Sequence, residues 1–261
     1  MLRMLMLRAA FAILAFCAIL PAHTGPGRAT QSPQTIDATP ILAAAREALG
    51  GAAKLSALQT FSANGRTRKV RGKNLVPIEF ELLCALPDKY VHQDDSPAEE
   101  SGLLKTGFNG TRLIQAPAPE EDEDQAVRAA HVVTSKQEFV TLTLGFFATS
   151  FSGAPVTFTY AGRAEAPEGA ADAIDVKGDR IAFRLYLDRD SHLPVMVTWQ
   201  VSGRGGAAEH RLYFADRRVI DGIRLPFQIR HAVAGETIEE TVFDRYRLNV
   251  KIDPKKFEAV K

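Results

Sequence analysis

The side chains that could do chemistry are histidines and carboxylates scattered along the chain. The six histidines fall at no His-x-x-x-His or Cys/His spacing, the patterns that bring metal ligands together. His210 and His231 lie in segments that read as neighbouring strands, so their rings could meet across a sheet. A surface or edge position is more common for such residues than a ligand role, so the sequence predicts no metal site.

The carboxylates fall at predicted turns and in one acidic run. Asp188, Asp190, Asp216 and Asp221 lie at turns, where an aspartate usually bonds its own backbone. We therefore expect these four to form turns rather than to act as general acids or bases. The run Glu120–Asp124 lacks the spacing and glycine turn of a calcium loop, and a solvated loop is expected there.

Motifs of nucleophilic and nucleotide chemistry are missing from the sequence. Phe151-Ser152-Gly153 lacks the frame of a Gly-x-Ser-x-Gly elbow. There is no P-loop, and no Gly-x-Gly-x-x-Gly opens a helix after a strand. Distant residues can still assemble a catalytic triad. The sequence itself predicts a protein that is not an enzyme and has no cofactor.

Charge and cysteine content narrow the class of protein further. With 32 basic and 31 acidic residues the net charge is +1, so no field steers a nucleic acid to the chain. Cys17 falls in a segment expected to be removed, which leaves Cys84 without a disulfide partner. Cys84 shares an apolar strand face with Ile78, Phe80 and Leu82, and we expect it to be buried.

The N-terminus has the organisation of a secretion signal. Arg3 and Arg8 precede or flank a short apolar run, Ala9–Leu20, that is shorter than the ~20 residues of a membrane span. We expect a signal peptide over residues 1–22, with cleavage after Ala22 or Ala29 both open. A flexible lead-in over 23–38 and one domain over 39–261 follow. This predicts a periplasmic or secreted protein of the bacterial envelope, with no integral span once the signal is removed.

Hydrophobic periodicity predicts the elements. Ile181, Phe183, Leu185 and Leu187 alternate with polar residues, which places them on one face of a strand. The same period predicts the strands Phe61–Val70, Val76–Ala85, Lys89–Gln93, Leu103–Phe108, Arg112–Gln115, Val156–Ala161, Asp172–Lys177, Ile181–Leu187, Pro194–Val201, Glu209–Asp216, Arg224–Val233 and Thr237–Val250. Phe61–Val70 is polar and reads as an edge strand.

The sequence predicts helices in only two segments. Ile41–Leu49 ends at Gly50-Gly51 and continues, bent, over Ala52–Leu58. Ser135–Phe151 fits both helical and strand spacing, and its length favours a helix lying on the sheet. The expected fold is α+β, with a curved antiparallel β-sheet (an incomplete barrel) covered by a few helices. So few helices leave a wide apolar face that either curls on itself or lines a pocket.

Several strings resemble the LolA-like superfamily of periplasmic lipoprotein- and lipid-carrier domains. They are Leu49-Gly50-Gly51 at the end of the opening helix, Phe108-Asn109-Gly110-Thr111, Leu187-Asp188 with Leu193-Pro194-Val195, Tyr213-Phe214-Ala215-Asp216 running on through Val219-Ile220-Asp221-Gly222-Ile223-Arg224-Leu225-Pro226, and Asn249-Val250-Lys251-Ile252-Asp253-Pro254 with Phe257. The resemblance implies a half-barrel with a hydrophobic cavity for acyl chains, as in outer-membrane lipoprotein-sorting domains.

The leading hypothesis is a carrier that shields acyl chains of a lipid or lipoprotein. The side chains expected to contact the ligand are apolar: Phe80, Leu82, Phe158, Phe183, Leu185, Val197, Trp199, Phe214, Phe227 and Ile229. A lid is expected from Phe139, Leu142, Phe146 and Phe147. Trp199 fits either the core or a cavity wall. The alternatives are an envelope sensor or scaffold with a protein partner and no lipid, and an enzyme with a scattered hydrolytic site.

Overall fold

The computed structural model describes residues 37–71, 74–95, 103–118, 123–203 and 206–259. The signal peptide predicted over 1–22 and most of the lead-in predicted over 23–38 lie outside the described residues. Three α-helices are α1 (Thr39–Leu49), α2 (Ala52–Ser56) and α3 (Gln125–Phe147), and a 3₁₀ turn covers Pro254–Phe257.

Twelve strands make up the rest of the described fold. They are β1 (Thr60–Arg71), β2 (Asn74–Ala85), β3 (Lys89–Asp95), β4 (Leu103–Asn109), β5 (Arg112–Ala116), β6 (Val156–Ala166), β7 (Gly169–Gly178), β8 (Ile181–Asp188), β9 (Pro194–Gly203), β10 (Gly206–Ile220), β11 (Ile223–Val233) and β12 (Glu236–Leu248). Each strand predicted from the alternation is present. The helix expected over Ser135–Phe151 is part of α3 as far as Phe147, whereas Phe151 forms an isolated bridge with Ala154 beyond the end of the helix.

All twelve strands belong to one antiparallel sheet in the order β5-β4-β3-β2-β1-β12-β11-β10-β9-β8-β7-β6. Consecutive strands are neighbours except β5 and β6, and the non-consecutive strands β1 and β12 pair in the middle of the sheet. The strands β5 and β6 are the two edges, so the sheet is not closed into a barrel. This confirms the α+β class and the curved antiparallel sheet expected from the sequence.

One prediction about the sheet is wrong. The segment Phe61–Val70 was expected at an edge, yet β1 pairs with β2 on one side and β12 on the other. Phe61 and Ala63 are buried on the face that α3 covers, and Thr67 follows them on the same face. The sequence of β1 is polar because the residues on this face in the second half of the strand do not pack in an apolar core.

Helix α1 is held against the sheet by a close approach of two backbones. It ends at Gly50, where φ is 135°. A Cβ atom at this position would lie 2.2 Å from the carbonyl oxygen of Gly222, in the turn between β10 and β11. Only glycine combines this φ with so short a distance. Leu42, Ala45 and Leu49 form the buried side of the helix.

Helix α3 is the long element that lies across the sheet and contacts β4, β5, β8, β9 and β11. It begins ten residues before the predicted start, where the Asp124 carboxylate accepts a hydrogen bond from the Ala126 amide at 2.8 Å. This is an N-cap, so Asp124 is not part of a free loop, and residues 120–122 of the acidic run lie outside the described residues. Every residue from Phe139 to Phe147 is buried.

The main core lies between α3, α1 and the covered face of the sheet. A smaller cluster on the other face joins Leu83, Val91 and Ile114 to Phe257 of the 3₁₀ turn. The segment near Phe257 is held by Lys105, which donates a hydrogen bond to the Lys256 carbonyl at 2.7 Å. Cys84 is buried in the main core and is a free thiol, as predicted.

Candidate functional site

A cavity of about 670 Å³ lies between α3 and the covered face of the sheet. This volume falls within the roughly 300–1,000 Å³ of small-molecule sites. The lining comes from nine strands, β1 to β4 and β8 to β12, and from the middle of α3. The residues are Thr67, Lys69, Phe80, Leu82, His92, Asp94, Leu104, Thr106, Thr134, Gln137, Glu138, Thr141, Leu142, Phe183, Trp199, Val201, His210, Leu212, Ile229, His231, Glu239, Thr241 and Phe243, with β4 and β8 contributing the outermost strand positions.

Half of the side chains expected to contact a ligand line this cavity. They are Phe80, Leu82, Phe183, Trp199 and Ile229. The others are placed elsewhere: Leu185, Val197, Phe214 and Phe227 are buried in the core, and Phe158 is half-buried against it. The apolar lining also includes Phe243, Leu212 and Leu104, which the sequence did not single out.

The four residues expected to form a lid occupy two environments. Leu142 lines the cavity. Phe139, Phe146 and Phe147 are buried in the core. Phe146 lies between Phe61 and Tyr246, with ring centroids 6.2 and 5.9 Å away. The C-terminal end of α3, with Phe146 and Phe147, is therefore packed, and the cavity begins at Leu142.

A row of ionisable side chains crosses the cavity wall. Nδ1 of His92 lies 2.5 Å from a Glu138 carboxylate oxygen on α3, and its Nε2 lies 2.9 Å from Asp94. Lys69 donates a hydrogen bond to Asp94 at 2.9 Å and lies 4.0 Å from Glu239 on the neighbouring strand β12. We call these five residues the ionic row. It connects β3, β1 and β12 to the helix that covers them.

The charges within the ionic row stabilise one another. Burial lowers the pKa of His92, but Glu138 and Asp94 outweigh this effect and raise the pKa to about 10. Burial raises the pKa of Asp94, but His92 and Lys69 lower it overall to about 2. Burial also lowers the pKa of Lys69, and Glu239 and Asp94 reverse the effect, so the net pKa is raised. At neutral pH His92 and Lys69 are cations and Asp94 is an anion.

Next to the ionic row lies a wall of three aromatic rings. The His210 and His231 rings meet across β10 and β11, a contact that the sequence left open, with Nδ1 of His210 3.0 Å from Nε2 of His231. Both stack near Trp199, at centroid distances of 5.2 and 5.4 Å. Burial, reinforced by His210, lowers the pKa of His231 to about 4, and burial also lowers the pKa of His210. Both imidazoles are therefore neutral at neutral pH.

The strand registers show where the polar side chains of the lining lie. Lys69, Asp94, Glu239, His231 and His210 all lie within a few residues of the strand ends that meet at one end of the sheet. Ile229 and Phe243 come from farther inside β11 and β12, but Phe80 lies opposite Asp94 and Leu82 lies opposite His92. The cavity is thus polar around Lys69, Glu239 and His231, and His92 and Asp94 reach into its apolar interior.

The aspartates at predicted turns lie away from the cavity. Asp188 accepts hydrogen bonds from the amide and hydroxyl of Ser191, at 2.7 and 2.6 Å. Asp216 and Asp221 have positive φ values of 49°, and Asp190 is exposed in the β8–β9 turn. Asp188, Asp190 and Asp221 thus lie at turns as expected, but Asp216 lies within strand β10, so the expectation of a turn there was wrong. Among the described residues, no three His, Cys, Asp or Glu side chains converge on a metal position.

Comparison with known proteins gives similarity at the level of structure. No family model matches the chain, and no curated protein matches it. A LolA superfamily protein from Nitrosomonas europaea superposes with a TM-score of 0.54 at 14% identity, covering 85% of this chain and 98% of that one. A DUF1329 family protein from Desulfovibrio piger superposes with a TM-score of 0.52 at 10% identity, covering 84% and 96%.

The chain has a LolA-like fold. Two of the short strings that resemble LolA-like domains lie at a close contact and at a turn of this fold. Leu49-Gly50-Gly51 meets the β10–β11 turn, and Asn109-Gly110 connects β4 to β5. Within the described part of this LolA-like chain, no helix has both the length and the hydropathy needed to cross a bilayer.

Sequence reasoning missed the ionic row of this LolA-like fold, although a signal for it exists. In β3 the period of two places His92 and Asp94 on the same face as buried Tyr90. In β1 the same period carries Lys69 onto the face of Phe61 and Thr67. Charged residues that continue a buried face are unusual, and this pattern could have indicated a polar cavity.

Proposed function

We propose that this protein is a secreted carrier or binding protein of the bacterial envelope that shields acyl chains of a lipid or lipoprotein from water. The observation that supports this most directly is the cavity of about 670 Å³ with an apolar interior. The LolA-like fold supports it independently. Each methylene group transferred into the cavity gains ~0.8 kcal/mol, so ten would offset about 8 kcal/mol of exposure to water.

The proposal includes the predicted organisation of the chain. A signal peptide over residues 1–22 would send the protein to the periplasm or out of the cell, and the lead-in 23–38 would precede one domain over 39–261. The partners are then lipid or lipoprotein acyl chains. Leu142, which belongs to α3 and lines the cavity, would be the part of the predicted lid that contacts them.

Trp199 provides a direct test because it is the one tryptophan of the sequence and lines the cavity. Delipidated protein is titrated with dodecanol while its fluorescence is followed, and lipids that co-purify are identified by mass spectrometry. We expect saturable binding that Leu212→Phe weakens by reducing the cavity. Val219→Phe is the matched control, since Val219 is 61% exposed. Absence of both probe binding and co-purified lipid would contradict the carrier, and a stoichiometric protein partner without lipid would favour the sensor alternative.

A hydrolase is the alternative that the ionic row raises, since a histidine and two carboxylates converge in a cavity. The geometry argues against this use of His92. Both of its ring nitrogens face carboxylates, Glu138 and Asp94, and its pKa of about 10 keeps it protonated at neutral pH. A general base needs a free nitrogen and a pKa near the working pH. We expect no turnover of short-chain or long-chain nitrophenyl esters, and turnover abolished by His92→Gln would revive the enzyme.

A further inference from the structure

The charged side chains of the cavity favour one kind of head group on a ligand. The ionic row contains three carboxylates, Asp94, Glu138 and Glu239, and two cations, Lys69 and His92. The order along the row is carboxylate, cation, carboxylate, cation, carboxylate. The two terminal carboxylates each have one cationic neighbour, and the row as a whole has one carboxylate more than it has cations.

Glu239 is the carboxylate with the weakest compensation. Its ion-pair partner is Lys69 at 4.0 Å, and Lys69 is closer to Asp94, at 2.9 Å. The Glu239 side chain is 28% exposed, so its charge is only partly solvated. Burial raises the pKa of Glu239, and nearby Lys69 and His92 do not fully reverse this effect. Glu239 therefore lies in the cavity wall as a carboxylate that a further cation would stabilise.

The neighbours of Glu239 on the other side add no positive charge. His231 is its register partner on β11, and His210 and Trp199 continue the wall. Because both imidazoles are neutral at neutral pH, the three rings present aromatic surface beside a carboxylate. Aromatic rings and a carboxylate together favour an ammonium group, which gains cation–π and Coulomb energy in a partly desolvated site.

An anionic head group would find no unpaired cation in the ionic row. Both cations of the row are already paired, Lys69 and His92 each with Asp94 and with a terminal glutamate. A fatty-acid carboxylate would have to compete for them and would add a like charge close to three carboxylates. Like charges in a partly buried site are unfavourable.

We infer that the cavity selects amphiphiles whose head group is an ammonium ion, with Glu239 as the residue that recognises the charge and the apolar interior as the site of the chain. This inference rests on the proposed carrier function, because it specifies the class of ligand for the same cavity. The apolar side chains Phe80, Leu82 and Phe243 lie deeper than Glu239 along their strands, which fits a head group at the polar end and a tail beneath α3.

The test uses four probes that share a twelve-carbon chain and differ in the head group. The full chain without bound lipid is titrated with dodecylamine, dodecyltrimethylammonium, dodecanol and dodecanoate at pH 7, below the concentrations at which they form micelles. Trp199 fluorescence and calorimetry are the two readouts. We expect dodecylamine to bind at least about tenfold more tightly than dodecanoate, a difference of about 1.4 kcal/mol, with dodecanol between them.

Two variants separate the carboxylate from a general effect of charge. Glu239→Gln keeps the size of the side chain and should reduce the preference for amine over carboxylate to less than about threefold, with dodecanol binding unchanged. Glu240→Gln is the matched control, because the next residue of β12 points to the opposite face and pairs with Arg68 and Arg230 in register. It should keep the full preference for the amine.

The outcomes distinguish the inference from the function on which it rests. Equal or tighter binding of dodecanoate, or an amine preference that survives Glu239→Gln, overturns ammonium selection and leaves the carrier intact. Failure of all four probes to bind overturns both. If Glu239→Gln does not fold, the ranking of the four head groups with the unmodified protein still decides the inference.

Discussion

The two halves of α3 meet the same sheet in different ways. Around Phe146 and Phe147 the helix packs against Phe61 and Tyr246, and the rings interlock edge to face. From Thr134 to Leu142 it covers the cavity and approaches the ionic row through Glu138. We call the first region the packed end and the second the hollow end.

The packed end is fixed by close contacts as well as by rings. Gly145 lets the helix approach Phe214, because a Cβ atom there would lie 2.1 Å from the ring. Arg217, whose pKa burial lowers to about 10, donates hydrogen bonds to the carbonyls of Gly145 and Pro194. The comparison teaches that the packed end attaches the helix to the sheet through rings, a glycine contact and hydrogen bonds, whereas the hollow end lies over a cavity.

The largest expected effect follows from removing a ring at the packed end. Phe146→Ala leaves a cavity among buried rings, and losses of roughly 3–5 kcal/mol are typical of such changes. Denaturant unfolding at equilibrium measures the free energy of unfolding. A loss below about 1 kcal/mol would show that the packed end does not anchor the helix.

Adding one methyl group at the packed end should cost somewhat less. Gly145→Ala would gain helix propensity at an open site, but here the new Cβ atom collides with Phe214. Overpacking of this kind costs about 1–3 kcal/mol. Gly203→Ala serves as the control, because its new Cβ atom would have its nearest neighbour at 3.8 Å. Phe214→Leu combined with Gly145→Ala should recover part of the loss if the collision is the cause.

Adding volume at the hollow end should have a much smaller effect on stability. Leu142→Phe extends into the cavity, and we expect the free energy of unfolding to change by less than about 1 kcal/mol, since space is available. Binding of dodecanol should weaken at the same time. A destabilisation as large as that of Gly145→Ala would mean that the two ends are equally packed.

The stability of the protein below pH 6.5 should depend on His231 at the hollow end. The pKa of His231 falls from 6.5 in the unfolded chain to about 4 in the folded protein. The folded state therefore disfavours the protonated ring. The contribution of neutral His231 to the free energy of unfolding is fully present above pH 6.5 and declines as the pH falls towards 4. His231→Gln should flatten this slope, measured by unfolding at a series of pH values. His192→Asn, at an exposed turn with φ of 59°, should leave it unchanged.

The alkaline side of the stability profile should show the opposite sign, with a stabilising contribution from His92 that falls steadily above pH 6.5. His92 has its pKa raised from 6.5 to about 10, so its ion pairs stabilise the fold fully below pH 6.5. That contribution is lost progressively as the pH rises through 10. His92→Gln should remove this dependence. An alkaline slope that is identical in the variant would show that the ionic row does not contribute to stability.

Much of the fold could be predicted because alternation survives in each strand. The period of two placed Ile181, Phe183 and Leu185 on one buried face, and it brought His210 and His231 together across two strands. The early part of α3 was missed for a physical reason. Residues 125–134 are exposed or half-buried, so they carry no continuous buried stripe, and the Asp124 cap is a weak signal inside an acidic run.

The candidate site could be predicted only in part. Phe80, Phe183 and Trp199 were selected for facing inward, and they line the cavity, but Leu185 and Val197 share the same pattern and are packed in the core. Alternation reports which face of the sheet a residue occupies. It does not report how far the covering helix stands above that residue.

The sequence by itself determined the strands, their inward faces, the turns at Gly50 and Asn109-Gly110, and the helical character of the segment around Phe146. These depend on local periodicity and on backbone preferences of a few residues. Only the tertiary structure decided that Lys69, His92, Asp94, Glu138 and Glu239 form one row. Their charges interact through space, because β1, β3, β12 and α3 are distant along the chain. No short segment of the sequence therefore shows that these five residues meet.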